Sequence, residues 1–262
     1  MTVIAIIAIG GAFHLKPYLQ VAPAEASNGK DMAEKANRAD LKIENPVVVE
    51  LFTSQGCYSC PPAEAFLRDL AVREDVIALE FHVDYWDDLV YGLAGKWEDP
   101  FSKPRYTQRQ SHYNHAIRRS GQVYTPQMVI NGKYETVGSR KSAVNSAIRK
   151  AHSVSHEASL QSTLSGQDLT VNVNGALPKD TRLFFVTYKK RDVTEVTSGE
   201  NKGKTLASYN IVHTMGLIDS YETSQSHYSK QIPALTSEDQ CAVLAQNHKT
   251  LEIYAASLCE HI

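Results

Sequence analysis

Val47-Val48-Val49-Glu50-Leu51-Phe52 runs through Thr53-Ser54-Gln55-Gly56 into Cys57-Tyr58-Ser59-Cys60-Pro61-Pro62. The first six residues read as a strand opened by Pro46, and their apolar character predicts burial on both faces. Ala63, Phe66, Leu67 and Leu70 then fall at i, i+3, i+4 and i+7, which is one face of a helix. Pro61 and Pro62 lie in its first turn, where missing N–H groups cost little. Val76 to Val83 is a second strongly apolar strand. The order strand, Cys-x-x-Cys, helix, strand is a βαβ unit, whose natural product is a parallel sheet.

Farther along, residues 84–104 form an aromatic-rich loop carrying Asp84, Tyr85, Trp86, Trp97 and Phe101. A loop of this length is usually functional or covered by other elements. A helix is expected from Thr107 to about Ser120, and a third strand from Tyr124 to Ile130. Asn131-Gly132 is a hairpin turn signal, with Tyr134 to Val137 as the returning strand. Ser139 can cap a closing helix whose inner side carries Ala143, Ala147 and Ile148. From about His156 short apolar or alternating runs recur between polar turns: Leu169–Val173, Arg182–Tyr188, Tyr209–His213, Cys241–Ala245 and Leu251–Ala255. This predicts an all-β region, a small sandwich or a sheet packed on the first domain.

The bulk numbers bound the function classes. The chain has 262 residues, 42% of them hydrophobic, enough for a buried core. Net charge is −2 and the pI is near 6.6, so no basic field exists for nucleic acid. Val3 to Phe13 is an uncharged apolar run, shorter than the ~20 residues a membrane-spanning helix needs. Ala24-Glu25-Ala26 matches a small-x-small cleavage site, although no Lys or Arg precedes the run. The expectation is a signal peptide over 1–26 and a polar leader over 27–45. The alternatives are an uncleaved membrane anchor and a buried N-terminal strand. Four cysteines, an even number, fit a periplasmic or secreted protein. Cys241 and Cys259 flank a hairpin and can form a structural disulfide, though spacing leaves connectivity open.

Residues 46–150 resemble a thioredoxin-fold domain. The strand–Cys-Tyr-Ser-Cys–helix unit and Thr125-Pro126 before a strand and an Asn-Gly turn carry the likeness. In that superfamily the matching proline is cis and lies beside the redox cysteines. Three segments, Glu50-Leu51-Phe52-Thr53-Ser54-Gln55-Gly56-Cys57, His82-Val83-Asp84-Tyr85-Trp86-Asp87 and Tyr124-Thr125-Pro126-Gln127, resemble a bacterial family of secreted thioredoxin-like proteins of unknown function. A β-rich part follows in that family, and its Gly-Glu-Asn-x-Gly-x-Thr-Leu segment matches Gly199 to Leu206. The resemblance implies an α/β thioredoxin-like domain at 46–155, a mixed sheet with flanking helices, followed by a β-rich C-terminal domain at 156–262.

The chemistry expected of this chain is thiol–disulfide exchange. A Cys57 thiolate at a helix N-terminus is stabilised by backbone N–H groups and the helix dipole. Because Pro61 and Pro62 have no N–H, the available donors are those of Ser59 and Cys60. Cys60, more buried, resolves the mixed disulfide. A cis Pro126 exposes the Thr125 backbone, which can pair with an extended substrate segment; a trans proline opening an edge strand is the plainer alternative. Asp84 is a candidate proton relay for Cys60 and Trp86 a candidate groove wall, unless they simply cap and pack the loop. Arg109, Gln110 and Tyr113 are weaker candidates, with Arg109 and Tyr113 four apart on one helix face. Glu64 lies one turn beyond Cys60, where an exposed carboxylate is the commoner case. The partner is a protein thiol or disulfide, with no cofactor beyond the redox-active disulfide and a membrane only if the N-terminal segment stays uncleaved.

Two rival readings remain. Cys57 and Cys60 can hold Cu(I) with His82, as in a metallochaperone. Alternatively, the fold is a non-catalytic interaction scaffold. His112-x-x-His115 and His152-x-x-x-His156 have helical ligand spacing but lack further ligands, so no metal site is expected. Gly199 to Gly203 lacks the strand-to-helix context of a phosphate loop and reads as a hairpin loop.

Overall fold

A computed structural model describes residues 45–154 and 157–262. The expected signal peptide, the polar leader before Asn45 and the domain boundary at 155–156 lie outside the described residues. The chain forms β1 (Val47–Thr53), α1 (Pro61–Ala71), β2 (Val76–His82), α2 (Pro104–Arg118), β3 (Gln127–Ile130), β4 (Tyr134–Val137) and α3 (Lys141–His152). Seven strands follow: β5 (Ser159–Ser165), β6 (Asp168–Asn174), β7 (Thr181–Glu195), β8 (Thr205–Ser220), β9 (His227–Gln231), β10 (Asp239–Asn247) and β11 (Ile253–His261).

These strands make one 11-stranded mixed sheet in the order β4-β3-β1-β2-β8-β7-β10-β11-β5-β6-β9. This corrects the expected architecture. The protein is mostly β, one large mixed sheet with three α-helices among the described residues, and not an α/β thioredoxin-like fold with flanking helices. The physical reason lies at the outer edge of β2. An exposed β2 edge would present unpaired N–H and C=O groups. Instead β8 runs parallel to it, with Glu80 opposite Ile211. Because that ladder is short, side chains extend it. The Asn210 amide donates to the Ala78 carbonyl at 2.8 Å, and the Tyr209 N–H donates to the Glu80 carboxylate at 2.9 Å.

Burial follows from period-2 alternation. On one face of β1, Val47, Val49 and Leu51 pack with Ala63, Phe66, Leu67 and Leu70 of α1 and with Val144 and Ile148 of α3. On the other, Val48 and Phe52 pack with Tyr106 and Tyr113 of α2 and with Val186, Val212, Ala242 and Leu244 from the C-terminal strands. Both faces of β1 are therefore dry, which explains its apolar run. The same holds for β10, whose Cys241, Val243 and Ala245 point into a third core and whose Ala242 and Leu244 join the second. Each fully buried Val, Leu or Phe contributes roughly 1.5–3 kcal/mol. Cys241 and Cys259 face each other across β10 and β11 in the third core as a disulfide, with their Cα atoms 5.3 Å apart.

The Asn131-Gly132 turn is where the β3–β4 hairpin meets the C-terminal strands. The Asn131 carbonyl accepts the Ile253 N–H at 2.9 Å. Gly132 has φ +63°, and a Cβ there would lie 1.8 Å from the Leu251 carbonyl oxygen. Gly132→Ala therefore combines a left-handed backbone with a backbone clash. It is expected to lower stability by about 2–4 kcal/mol in urea unfolding under non-reducing conditions. A loss below about 1 kcal/mol would show that this turn is not seated on the β10–β11 loop.

Candidate functional site

The Cys57–Cys60 turn lies at the C-terminal ends of β1 and β2. Cys57 and Cys60 form a disulfide with Cα atoms 5.4 Å apart. The turn is knitted by its own backbone: the Cys57 N–H donates to Ser54 at 3.0 Å and the Cys60 N–H donates to Cys57 at 3.2 Å. Cys60 is the N-cap of α1, whose first residues are the two prolines. The Cys60 N–H, expected as a donor to the Cys57 sulfur, is thus committed to the Cys57 carbonyl. The polar neighbour of the Cys57 sulfur is the Ser59 hydroxyl at 3.4 Å. Cys60 is not the more buried of the two, since both cysteines are 0% exposed, while Tyr58 between them is 64% exposed.

Thr125-Pro126 is a cis peptide. Phe52 of β1 pairs with Gln127 of β3, which puts Pro126 at the same end of the sheet as the Cys57–Cys60 turn. Trp86 joins the two. Its indole N–H donates to the Thr125 hydroxyl at 2.8 Å, and a Cβ on Gly56 would lie 3.2 Å from the Trp86 Cβ. Trp86 also stacks on Tyr91, with ring centroids 6.3 Å apart. Asp84 takes no part in this group; it accepts a hydrogen bond from the Thr107 hydroxyl of α2 at 2.5 Å.

A charge cluster underlies the turn. His82, fully buried, holds Asp99 through Nδ1 at 2.7 Å and Glu80 through Nε2 at 2.8 Å. Burial alone would pull the imidazole pKa down, but the two carboxylates outweigh it and hold it well above the ordinary value. Burial would likewise raise Asp99, yet the His82 cation and the N–H groups of Gln55 and Phe101 hold it below the usual range. The Gln55 N–H reaches Asp99 at 2.7 Å, so the cluster grips the residue two before Cys57. With both His82 nitrogens taken by carboxylates, the ring has no lone pair left for the copper role the sequence suggested. No cluster of three or more metal-ligating side chains occurs among the described residues.

Glu64 departs from the expectation of an exposed carboxylate. It is 3% exposed and accepts the Thr53 hydroxyl at 2.6 Å. Burial, with the Glu80 charge adding to it, pushes its pKa up to about 8. Arg109 and Tyr113, four apart on α2, belong to one hydrogen-bonded network with Glu50. Arg109 donates to Glu50 at 2.7 Å, to Tyr113 at 2.7 Å and to Gln246 of β10 at 3.1 Å, while the Tyr113 hydroxyl donates to Glu50. Gln110 is buried and donates to the Tyr124 carbonyl at 2.6 Å. His112 and His115 are exposed, His152 meets Asp75 at 2.9 Å, and His156 lies outside the described residues.

The C-terminal region supplies contacts that the local sequence did not announce. Gln55 donates to Thr194 of β7 at 3.0 Å. Asn201 donates to the carbonyls of Gln55 at 2.8 Å and Cys57 at 3.0 Å. The Tyr58 N–H donates to Glu200 at 2.9 Å. The only pointer in the sequence was the Gly-Glu-Asn segment itself, whose partner lies more than a hundred residues away.

Because Glu64 has its pKa raised from 4.5 to about 8, folding holds its proton through a range in which the unfolded chain releases it. Its contribution is fully present below about 4.5 and is lost as pH rises toward 8. Glu64→Gln removes the titration and keeps an acceptor for Thr53. Relative to wild type, the variant should gain about 1.4 kcal/mol per pH unit across that window, read by urea unfolding from pH 5 to 8. A difference that stays flat with pH would place the Glu64 carboxyl in an ordinary solvated setting.

The chain is similar in structure to a protein from Agrobacterium tumefaciens whose crystal structure was determined as a structural-genomics target. The TM-score is 0.67 and the identity 27%, over 82% of this chain and 93% of that one. No curated protein matches the chain. Residues 48–246, most of the chain, match the family described as Protein of unknown function (DUF1223). The protein belongs to that family.

Proposed function

We propose that this protein is an exported thiol–disulfide oxidoreductase whose exchanging pair is Cys57–Cys60. The observation that carries the reading is the setting of the disulfide. It closes the turn between a buried strand and a helix N-terminus, at the end of the sheet that also holds cis Thr125-Pro126. That combination is the one the thioredoxin superfamily uses for exchange, although the surrounding sheet here is different. The even cysteine count and the two disulfides support an oxidising compartment, periplasmic or extracellular.

In the reduced protein the Cys57 thiolate attacks one sulfur of a substrate disulfide. The substrate S–S bond breaks, one substrate thiolate leaves and takes up a proton, and a mixed disulfide to Cys57 remains. Cys60 then gives up its proton and attacks the Cys57 sulfur, releasing the second substrate thiolate. Two electrons pass to the substrate and the cysteines return to the disulfide. Run in reverse, the same steps oxidise a substrate dithiol. Glu64, on the same helix as Cys60, is the buried carboxyl with a pKa in the range of a thiol, at about 8.

One observation favours a second reading, a structural disulfide in a binding scaffold: neither cysteine is exposed. A trapping experiment separates the two. Cys60→Ser should accumulate an adduct through Cys57 with an unfolded, disulfide-bonded test protein, and Cys57→Ser should accumulate none. Each variant should lower the rate of disulfide reduction by at least ~100-fold. Equal and negligible adduct formation by both variants would leave the scaffold reading standing.

A further inference from the structure

The turn between β7 and β8, Gly199-Glu200-Asn201-Lys202-Gly203, is the part of the C-terminal region that reaches the redox turn. It is itself well fixed. Gly199 has φ +75°, a Cβ there would lie 2.8 Å from the Trp97 Cβ, and its N–H donates to the Ala94 carbonyl at 2.9 Å. Asn201 is fully buried, and its Oδ1 accepts from Lys204 at 2.8 Å while its amide holds Gln55 and Cys57. Glu200, by contrast, is exposed and touches the turn through its carboxylate, which accepts the Tyr58 N–H at 2.9 Å.

That N–H is the first amide after Cys57. A thiolate at Cys57 is stabilised by nearby donors and opposed by nearby negative charge. The Cys60 N–H is spent on the Cys57 carbonyl, and the Tyr58 N–H is spent on a carboxylate. A thiolate forming at Cys57 therefore meets a negative charge one residue away, with the Tyr58 and Cys60 amides engaged and the Ser59 hydroxyl, 3.4 Å from the sulfur, as its polar neighbour. Other charged and titratable groups around the turn come from several elements. Glu64 lies on α1, His82 and Glu80 on β2, and Asp99 in the loop that follows. Tyr91 lies beside Glu200, and Lys204 sits 4.1 Å over the Tyr58 ring. None of them makes the Tyr58 contact that Glu200 makes.

We infer that Glu200 is a positioning residue that restrains Cys57: its carboxylate on the Tyr58 N–H keeps the thiolate fraction low and favours the closed disulfide. This deepens the thiol–disulfide reading and rests on it. The redox steps are those written above; Glu200 changes the ease with which the Cys57 sulfur carries charge in them.

The test is a charge series at one exposed position. Reduced wild type, Glu200→Gln and Glu200→Lys are alkylated with iodoacetamide from pH 5 to 9 at low ionic strength, and modification of Cys57 is read by peptide mass. The pH midpoint should fall in the order Glu, Gln, Lys. The rate at pH 6 should rise about threefold or more with Gln and further with Lys, and the spread should shrink in 0.5 M salt. The equilibrium with glutathione should move toward the reduced form in the same order. A merely structural role for Glu200 would give no such ordering and no salt dependence. Midpoints that agree within a factor of two in rate, with Cys57 reactive in all three proteins, would overturn the Glu200 inference alone. If Cys57 resists alkylation below pH 9 in every folded variant yet reacts in the unfolded chain, the inference and the thiol–disulfide reading both fall.

Discussion

The buried His82 cation, held between Asp99 and Glu80, is the interaction on which the rest of the structure depends. A charge with no solvent contact is costly unless it is paired and its partners are hydrogen-bonded. Here every partner leads outward to a different piece of chain. Asp99 accepts the N–H groups of Gln55 and Phe101, so it fixes the Cys57–Cys60 turn and the loop entering α2. Glu80 accepts the Tyr209 N–H, so it fixes β8 against β2. Removing one member of such a cluster typically costs about 3–5 kcal/mol, because the others are left buried and unpaired. The geometry of the Cys57–Cys60 turn and the continuity of the sheet therefore share one electrostatic origin.

That sharing explains why the C-terminal strands belong to the site. Once β8 is seated on β2, the β7–β8 hairpin is carried up beside Ser54–Cys60. Thr194, Glu200 and Asn201 then bond Gln55, Tyr58 and Cys57. The segment between β2 and α2 packs on both pieces, Trp86 against Gly56 and Thr125, and Trp97 and the Ala94 carbonyl against Gly199 of the β7–β8 turn. The result is a disulfide that is covered while Tyr58, in its middle, stands exposed.

What the sequence made legible was local. The apolar runs placed β1 and β2, the i, i+3, i+4 pattern placed α1, and Thr125-Pro126 placed the loop beside the cysteines. The interiors of β6, β7, β8 and β10 were readable from short apolar runs, and the Leu251–Ala255 run caught only the start of β11. β7 and β8 nonetheless extend well beyond those runs, to Glu195 and from Thr205, because their outer halves are mostly polar and leave no apolar run, even where Leu206 and Ser208 are buried. β5 and β9 went unread for the same reason: each buries one face, and β9 little of that. The continuity of the sheet from β2 into β8 went unread because β-pairing between residues more than a hundred positions apart leaves no periodic trace. A sharper signal was present in Glu50 and Glu80, charges set inside otherwise apolar strands. Such residues are almost never buried unless paired, and both are paired here, Glu50 with Arg109 and Glu80 with His82. Their partners, and the burial of Glu64, depended on tertiary packing that spacing does not encode.

The central claim, that Cys57–Cys60 is an exchangeable pair, is tested most directly by a redox titration of the folded protein in glutathione buffers, with each cysteine labelled and read by peptide mass. The Cys241–Cys259 bridge in the third core serves as the internal standard. The account predicts that Cys57–Cys60 opens and closes reversibly across the glutathione range while Cys241–Cys259 stays closed, and that Cys57 labels before Cys60. Two bridges that remain closed together, or that open only when the chain unfolds, would contradict it.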